Sequence, residues 1–571
     1  MELLDSRRLT GPGLLLDQPG AVIEVRVADE RREALIAAWR QAASRMLEAV
    51  GWTGEQLAER RYAGGVTLGF TAPLDALYAA TDLNEWAWSA AEAAIAGRSN
   101  GNFEEAAARL RTAIAEERRP GLLKIRDAAR ARGLTFLVGE DEVSVGAGTG
   151  VSSWPVDDIP EHSRIPWSEV HDVPIALVTG SNGKTTVVRL LAAMAKAARR
   201  VAGVSSTEGV TVGDLTLDEG DYSGPEGARL VLRRREVEIA LLETARGGLL
   251  RRGLPVERSD VAVVTNIAAD HLGEFGVQTL DALAETKLLV ARTVGPGGRV
   301  VLNADDPTLV RAAVGIPAPV VWFSLDPGNP VAARHLAAGG RVALLETEAL
   351  TLVSQGEREV LGPVAEMPIT AGGTARHNVA NALAAAAAAV GLGVPLDAVR
   401  AALRRFGQDP ADNPGRANVY ELGGVRIVID YAHNPHGLAA LAAALEAVPS
   451  RRRLVMIGQA GDRDDETVRE MARTALAFRP DRVIAKETDA YLRGRAPGEV
   501  PALLAEELRR SGLRQDAIAT PGSELRSVRE ALEWARPGDL LVLTLHQERR
   551  QVEELLAALG DRGWKAGEPV G

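Results

Sequence analysis

The eight residues Thr179-Gly-Ser-Asn-Gly-Lys-Thr-Thr186 follow an apolar run, Ile175-Ala-Leu-Val178, and open a helix-patterned segment, Val187-Val-Arg-Leu-Leu-Ala-Ala-Met-Ala195. A strand, a glycine turn carrying a lysine and a helix start commit this part of the chain to an α/β layer with a phosphate cradle at its edge. Gly180 and Gly183 let the backbone curl so that its N–H groups converge on an anion. The helix N-terminus adds positive potential. Lys184 is long enough to reach β/γ-phosphates, and the Thr185 hydroxyl is a ligand type for Mg²⁺. The general nucleotide loop, Gly-x₄-Gly-Lys-Ser/Thr, would place its first glycine at position 178, which is Val178. Here the first glycine comes late, at Gly180, so the loop is a shorter variant.

The 571 residues exceed what one core can organise and predict three or four domains. The net charge of −11 argues against a general nucleic-acid binder. With no cysteine, disulfides, thiolate metal sites and cysteine nucleophiles are excluded. The N-terminus lacks the apolar core of a signal peptide, and no apolar run reaches the ~18 residues of a membrane span. A cytoplasmic protein with no membrane partner is the expectation.

Along the chain, residues 1–165 read as a small α+β domain with a linker. Positions 21–27 alternate like a strand, 30–50, 74–96 and 103–115 carry helical periodicity, and 134–138 reads as a further strand. From 166 to 413, buried strands at 175–178, 238–243, 261–265 and 298–303 alternate with helices, which predicts a parallel-rich sheet. A second, Rossmann-like α/β unit fills 414–571, with strands at 425–430, 453–457, 482–485 and 539–544. The turn-rich Asp409-Pro-Ala-Asp-Asn-Pro-Gly415 between the two reads as a hinge. The alanine-rich stretch 381–391 is too short to span a membrane and fits a core helix.

Glu243 ends an apolar strand, where open α/β sheets place their ligands, and its carboxylate suits Mg²⁺, a hard ion. Capping of the next turn is the competing role. Arg246, in the glycine turn that follows, suits either a substrate carboxylate or the surface.

The loop Thr179–Thr186 resembles that of the Mur ligases, ATP-dependent enzymes that form amide bonds. So does Thr265-Asn-Ile-Ala-Ala-Asp-His271, and the resemblance implies that His271 holds a second magnesium. Lys287 stands near a lysine that many members carry as a carbamate, which would turn a cation into an oxygen ligand; an unmodified amine in an ion pair is the alternative. His377-Asn-Val-Ala-Asn-Ala-Leu-Ala-Ala385 resembles the family's adenine-facing helix and implicates Asn378 and Asn381, three apart on one face. Pro414-Gly-Arg416 and Asp430-Tyr-Ala-His-Asn-Pro435 complete the set: the resemblance gives Arg416 to the ATP phosphates and Asp430 to the ribose, with His433 and Asn434 lining the cleft.

The implied ATP site comprises Gly180, Asn182, Gly183, Lys184, Thr185, Thr186, Asn378, Asn381, Arg416 and Asp430. The implied metal ligands are Thr185, Glu243 and His271, and the implied catalytic set is Lys184, Glu243, His271, Lys287 and Arg416.

Within the family, Leu242-Glu-Thr-Ala-Arg-Gly-Gly-Leu-Leu-Arg251, the segment 219–229, and Gly461-Asp-Arg-Asp-Asp465 with Lys486-Glu-Thr-Asp489 are similar to the Mur-ligase-like half of cyanophycin synthetase. Only about 165 residues precede the central domain that carries the loop, too few for that enzyme's additional ATP-grasp module, so a single ligation is expected. The resemblance implies attack of a substrate carboxylate on ATP to give an acyl phosphate, which an amine then captures. Small-molecule or peptide-like carboxylate and amine substrates follow, and a homo-oligomer is compatible with this reading. An ATP-binding regulatory or scaffold protein that makes no product is the alternative.

Overall fold

The computed structural model describes residues 1–270 and 272–570. Strands carry the predicted alternation into four sheets. The N-terminal part holds a four-stranded antiparallel sheet, in the order Glu2–Leu9, Gly20–Arg26, Gly65–Thr71, Leu57–Tyr62. Helices Asp29–Ala49, Leu77–Ile95 and Phe103–Glu117 form its core around Trp39 and Phe70, both fully buried. A small antiparallel sheet, Phe136–Val138, Glu142–Val145 and Ser152–Pro155, leads into the central domain. Strands Glu2–Leu9 and Leu57–Tyr62 escape sequence reading: the second, Leu-Ala-Glu-Arg-Arg-Tyr, is an edge strand with no residue fully buried and no apolar alternation.

The central sheet has eleven strands in the order Leu215–Glu219, Gly209–Val212, Ala202–Ser206, Ile239–Glu243, Ile175–Thr179, Ser259–Val264, Val294–Asn303, Val320–Ser324, Arg341–Glu346, Ala349–Ser354, Glu357–Pro363. Pairing is parallel from Ala202–Ser206 through Arg341–Glu346 and antiparallel at both ends. The parallel strands are apolar runs because helices cover both faces. Strand Ile175–Thr179 lies between Ile239–Glu243 and Ser259–Val264, so the loop leaving it opens into the crevice at the carboxyl ends of the strands.

Helix Arg376–Gly391 is buried at nearly every position from Asn378 to Ala389. Its alanines have no bulk, so it lies close against helix Lys184–Ala197, whose Val187, Leu190, Leu191 and Met194 fill the space between. This close approach brings the Asn378/Asn381 face to the loop.

The C-terminal sheet runs Asn418–Leu422, Val425–Asp430, Leu540–Thr544, Arg453–Ile457, Arg482–Ala485, Ile518–Ala519, all parallel except the first pair. No helix among the described residues is long and apolar enough to cross a membrane.

Candidate active site

The loop and the carboxyl edges of both large sheets enclose a cleft of about 1330 Å³. Gly180 has φ 145° and Gly183 φ 88°, both in the region that L-residues avoid. A β-carbon on Gly180 would lie 1.8 Å from Thr265 Oγ1, and one on Gly183 2.2 Å from Asn381 Oδ1. The two glycines are therefore required by close approach as well as by dihedral angle. Gly180→Ala is expected to abolish nucleotide binding measured by calorimetric titration with ATP, because the loop must move to admit the methyl group.

The loop is anchored from behind. The amides of Ser181 and Asn182 donate to Asn266 O and Oδ1, both at 2.9 Å, so these two N–H groups are already partnered within the protein. Thr265 Oγ1 donates to Asn182 O at 2.6 Å, and Ser181 Oγ to Ala268 O at 2.9 Å. The Thr265-Asn266 part of the family-like motif thus holds the loop's shape. Its histidine, His271, lies outside the described residues.

At the helix start, Lys184 Nζ donates to Gly180 O and Ser181 O at 3.1 and 3.2 Å. Thr185 Oγ1 donates to Glu243 Oε2 at 2.9 Å, and Arg416 Nη2 reaches the same hydroxyl oxygen at 3.5 Å from the C-terminal domain. Glu243 is 2 % exposed, and its Oε1 has no hydrogen-bond partner. Burial raises its carboxyl above the ordinary range, opposed by the charge of Lys184. A buried carboxylate oxygen without a donor, beside a hydroxyl and facing the loop, fits a hard divalent cation with oxygen ligands. Among the described residues there is no group of three or more metal-ligating side chains, so Thr185 and Glu243 are the part of the expected metal set that the structure displays together.

Lys287, on helix Leu280–Leu288, is buried and donates from Nζ to Gly180 O at 2.9 Å. Burial pushes its amine well below the ordinary lysine range, with Lys184 adding like-charge repulsion. No carboxylate forms an ion pair with it among the described residues, so the expected ion-paired alternative is not what the geometry displays.

Asn378 and Asn381 do share one face, and they bond to each other: Asn381 Nδ2 donates to Asn378 Oδ1 at 3.1 Å, and Asn378 Nδ2 to Ile369 O at 3.1 Å. Both line the cleft. Thr186 Oγ1 accepts from Asn413 Nδ2 at 3.4 Å, which ties the helix start to the connector.

Across the cleft, Asp430 ends its strand as expected and accepts backbone N–H groups from Ala417 (2.8 Å) and Ala432 (2.7 Å). These bonds fix the Pro414–Ala417 turn, and Arg416 then stacks on Tyr431, 4.4 Å from the ring centroid. Asn182 extends to the other domain, in reciprocal bonds with Asn434 (3.0 and 3.3 Å) and at 2.9 Å from His436 Nδ1. His433 Nε2 lies 3.5 Å from Asp270, and Arg463 Nη2 3.2 Å from the same carboxylate. Arg246 is buried and pairs with Glu274. Arg495 pairs with Asp465 and Glu499, and Arg493 with Asp462.

Two contributors escape sequence reading. Glu208, at the carboxyl edge of strand Ala202–Ser206, meets Arg189, Arg549 and Arg416 at 2.8, 3.1 and 3.9 Å. Burial would raise its carboxyl, but these arginines reverse that and hold it below the ordinary range. Its signal was the one used for Glu243, a carboxylate at a strand end. The other is a buried group under the Asp430–His433 turn. Lys486 pairs with Glu524 and lies 3.2 Å from His546 Nδ1, and His546 Nε2 lies 3.2 Å from Ala432 O. These partners are distant in sequence and carry no local pattern.

The Mur ligase middle domain matches residues 178–389, and the Mur ligase glutamate ligase domain matches residues 415–544. A cyanophycin synthetase of Trichormus variabilis is 37% identical over 383 residues, which are 67% of this chain and 42% of that protein. The match thus spans less than half the length of that relative. A UDP-N-acetylmuramyl-tripeptide synthetase of Leifsonia xyli subsp. xyli is 30% identical over 426 residues, covering 73% of this chain and 76% of the relative. Among solved structures, E. coli FolC in complex with ADP superposes over 68% of this chain and 90% of its own, with a TM-score of 0.50 and 21% identity, a likeness of fold. The two domain matches together cover the strands, the loop and the strand-end carboxylates of the cleft, and with them the chain belongs to the Mur ligase family, whose members are ATP-dependent acid–amino-acid ligases.

Proposed function

We propose that this protein is an ATP-dependent ligase that joins an amino acid or amine to a carboxylate and releases ADP and phosphate. The observation that carries this reading is the meeting at Thr185: its hydroxyl donates to the buried Glu243 and accepts from Arg416 of the other domain, directly beside the Lys184 loop. Such a site serves phosphoryl transfer, in which positioning and charge neutralisation supply most of the rate.

In this reading the glycine loop and Lys184 hold the triphosphate. Arg416, drawn in by closure of the C-terminal domain, neutralises charge on the phosphoryl group as it passes to the substrate carboxylate. The acyl phosphate so formed is attacked by the amine, forming the amide bond and expelling phosphate. Thr185 and Glu243 would hold Mg²⁺, which when bound neutralises phosphate charge. The reciprocal Asn182–Asn434 contact keeps the cleft shut, excluding the water that would hydrolyse the acyl phosphate. Burial pushes the Lys287 amine well below the ordinary lysine range and so favours the neutral form that adds CO₂, which supports the carbamate. The names of the relatives support an amino-acid or peptide-like substrate.

The test is phosphate release from ATP against a panel of amino acids, dipeptides and β-linked aspartyl-arginine, with mass detection of products. Release that depends on both a carboxylate and an amine is expected. ATP binding with no release across the panel would establish the regulatory reading instead.

A further inference from the structure

We infer that Glu208 is a positioning residue: it bolts the C-terminal domain onto the central one and thereby sets Arg416 over Thr185. The inference rests on the ligase reading for its catalytic consequence but not for its geometry.

Glu208 sits in the tight connection between strands Ala202–Ser206 and Gly209–Val212, where its own N–H donates to Ser206 Oγ at 3.2 Å and fixes the turn. Its carboxylate is met by three guanidinium groups. Arg189 comes from the helix that follows the phosphate loop, at 2.8 Å. Arg549 comes from the start of helix Arg549–Asp561, at 3.1 Å, and Arg416 from the turn before strand Asn418–Leu422, at 3.9 Å. One arginine belongs to the central domain and two to the C-terminal domain, so this one carboxylate joins both bodies.

The charge arithmetic gives the arrangement its direction. Three guanidinium groups gathered around one point repel each other, and Glu208 is the counter-charge between them. Arg189 is further tied to the connector by Asn413 Oδ1 at 3.5 Å. The side chains are between a fifth and a third exposed, so any single bridge is weak in stability terms. Their effect is on position. Arg416 has no other carboxylate within ion-pair distance among the described residues, and its remaining contacts are the Tyr431 ring and the Thr185 hydroxyl. Without Glu208, repulsion from Arg189 and Arg549 drives Arg416 away from Thr185 and loosens the closed cleft.

The test compares Glu208→Gln, Glu208→Asp, Arg549→Gln and the Glu208→Gln/Arg549→Gln double variant in the full-length protein. Cleft closure is read by energy transfer between dyes on cysteines introduced at the exposed Val314 and Glu506, which is practicable because the chain has no cysteine of its own. With ATP added, Glu208→Gln and Arg549→Gln are each expected to lengthen the distance, and the double variant to open no further than Glu208→Gln alone, since the partners form one network and the second change also removes part of the repulsion. In phosphate release, Glu208→Gln is expected to lower kcat roughly 10- to 100-fold, with Glu208→Asp recovering part of it. Additive effects of the two single variants, or an unchanged distance in Glu208→Gln, would overturn the inference. The distance measurement stands whether or not the wild type turns over, so failure of the ligase reading and failure of the bolt are separable.

Discussion

Lys184→Ala is expected to reduce ATP-dependent phosphate release by at least about 10²–10³-fold, or roughly 3–4 kcal/mol of transition-state stabilisation. Lys184 Nζ lies over the loop carbonyls of Gly180 and Ser181, and in the proposed ligase it meets the charge of the terminal phosphates. Lys287 Nζ also contacts Gly180 O, but burial pushes its amine well below the ordinary lysine range, so it is a poor substitute for the lost charge. The loss should appear mainly in kcat, because the interaction grows as charge develops on the transferring group. The loop itself should keep its fold, since Asn266 and Thr265 hold it from behind. Wild-type amide formation by this variant would remove the basis for the ligase assignment.

The largest effect on stability is expected from Lys486→Met. Lys486 and Glu524 are both fully buried and paired, and Glu524 also accepts the amides of His546, Gln547 and Glu548. Removing the cation leaves a buried carboxylate without its counter-charge, at a cost of about 3–5 kcal/mol. The thermal transition of the C-terminal domain should fall by about 10 °C. Burial alone would raise the Glu524 carboxyl, yet Lys486, with His546 and the backbone amide of Glu548, outweighs this and holds it below the ordinary range. In the wild type the pair therefore contributes fully above the ordinary carboxylate pKa of about 4.5 and is lost as the pH falls towards the depressed folded value. In the variant Glu524 takes up its proton at higher pH, so the difference between the two proteins should shrink on acidification. A difference that is constant across pH would show that volume, and not charge, is what Lys486 supplies. Because His546 and Ala432 hang on the same pair, the Asp430–His433 turn should lose order with it.

The strands that flank the site were legible because each is a short apolar run ended by a polar residue: Ile175–Thr179, Ile239–Glu243, Val425–Asp430. Burial on both faces leaves such strands no other composition. The antiparallel hairpins at the sheet edges, such as Gly209–Val212 with Leu215–Glu219, were not legible, since half-exposed strands carry mixed residues. Asn378 and Asn381 were readable as a pair by helical spacing, but their bond to one another and to Ile369 O was not. Asn182 read as a member of the ATP loop, and its carboxamide proved to span the two domains.

By itself, then, the sequence determined the local chemistry: a glycine loop that admits an anion, a lysine and a threonine at a helix start, and carboxylates at strand ends. These follow from neighbours in the chain, through dihedral freedom and periodicity. Only the tertiary structure decided which of these groups meet. Glu208 with three arginines from two domains and Arg416 with Thr185 are contacts made where the C-terminal domain meets the central one, and Lys486 with Glu524 and His546 is made by the packing of the C-terminal domain; all join residues far apart in the chain, and no local pattern encodes such a distance.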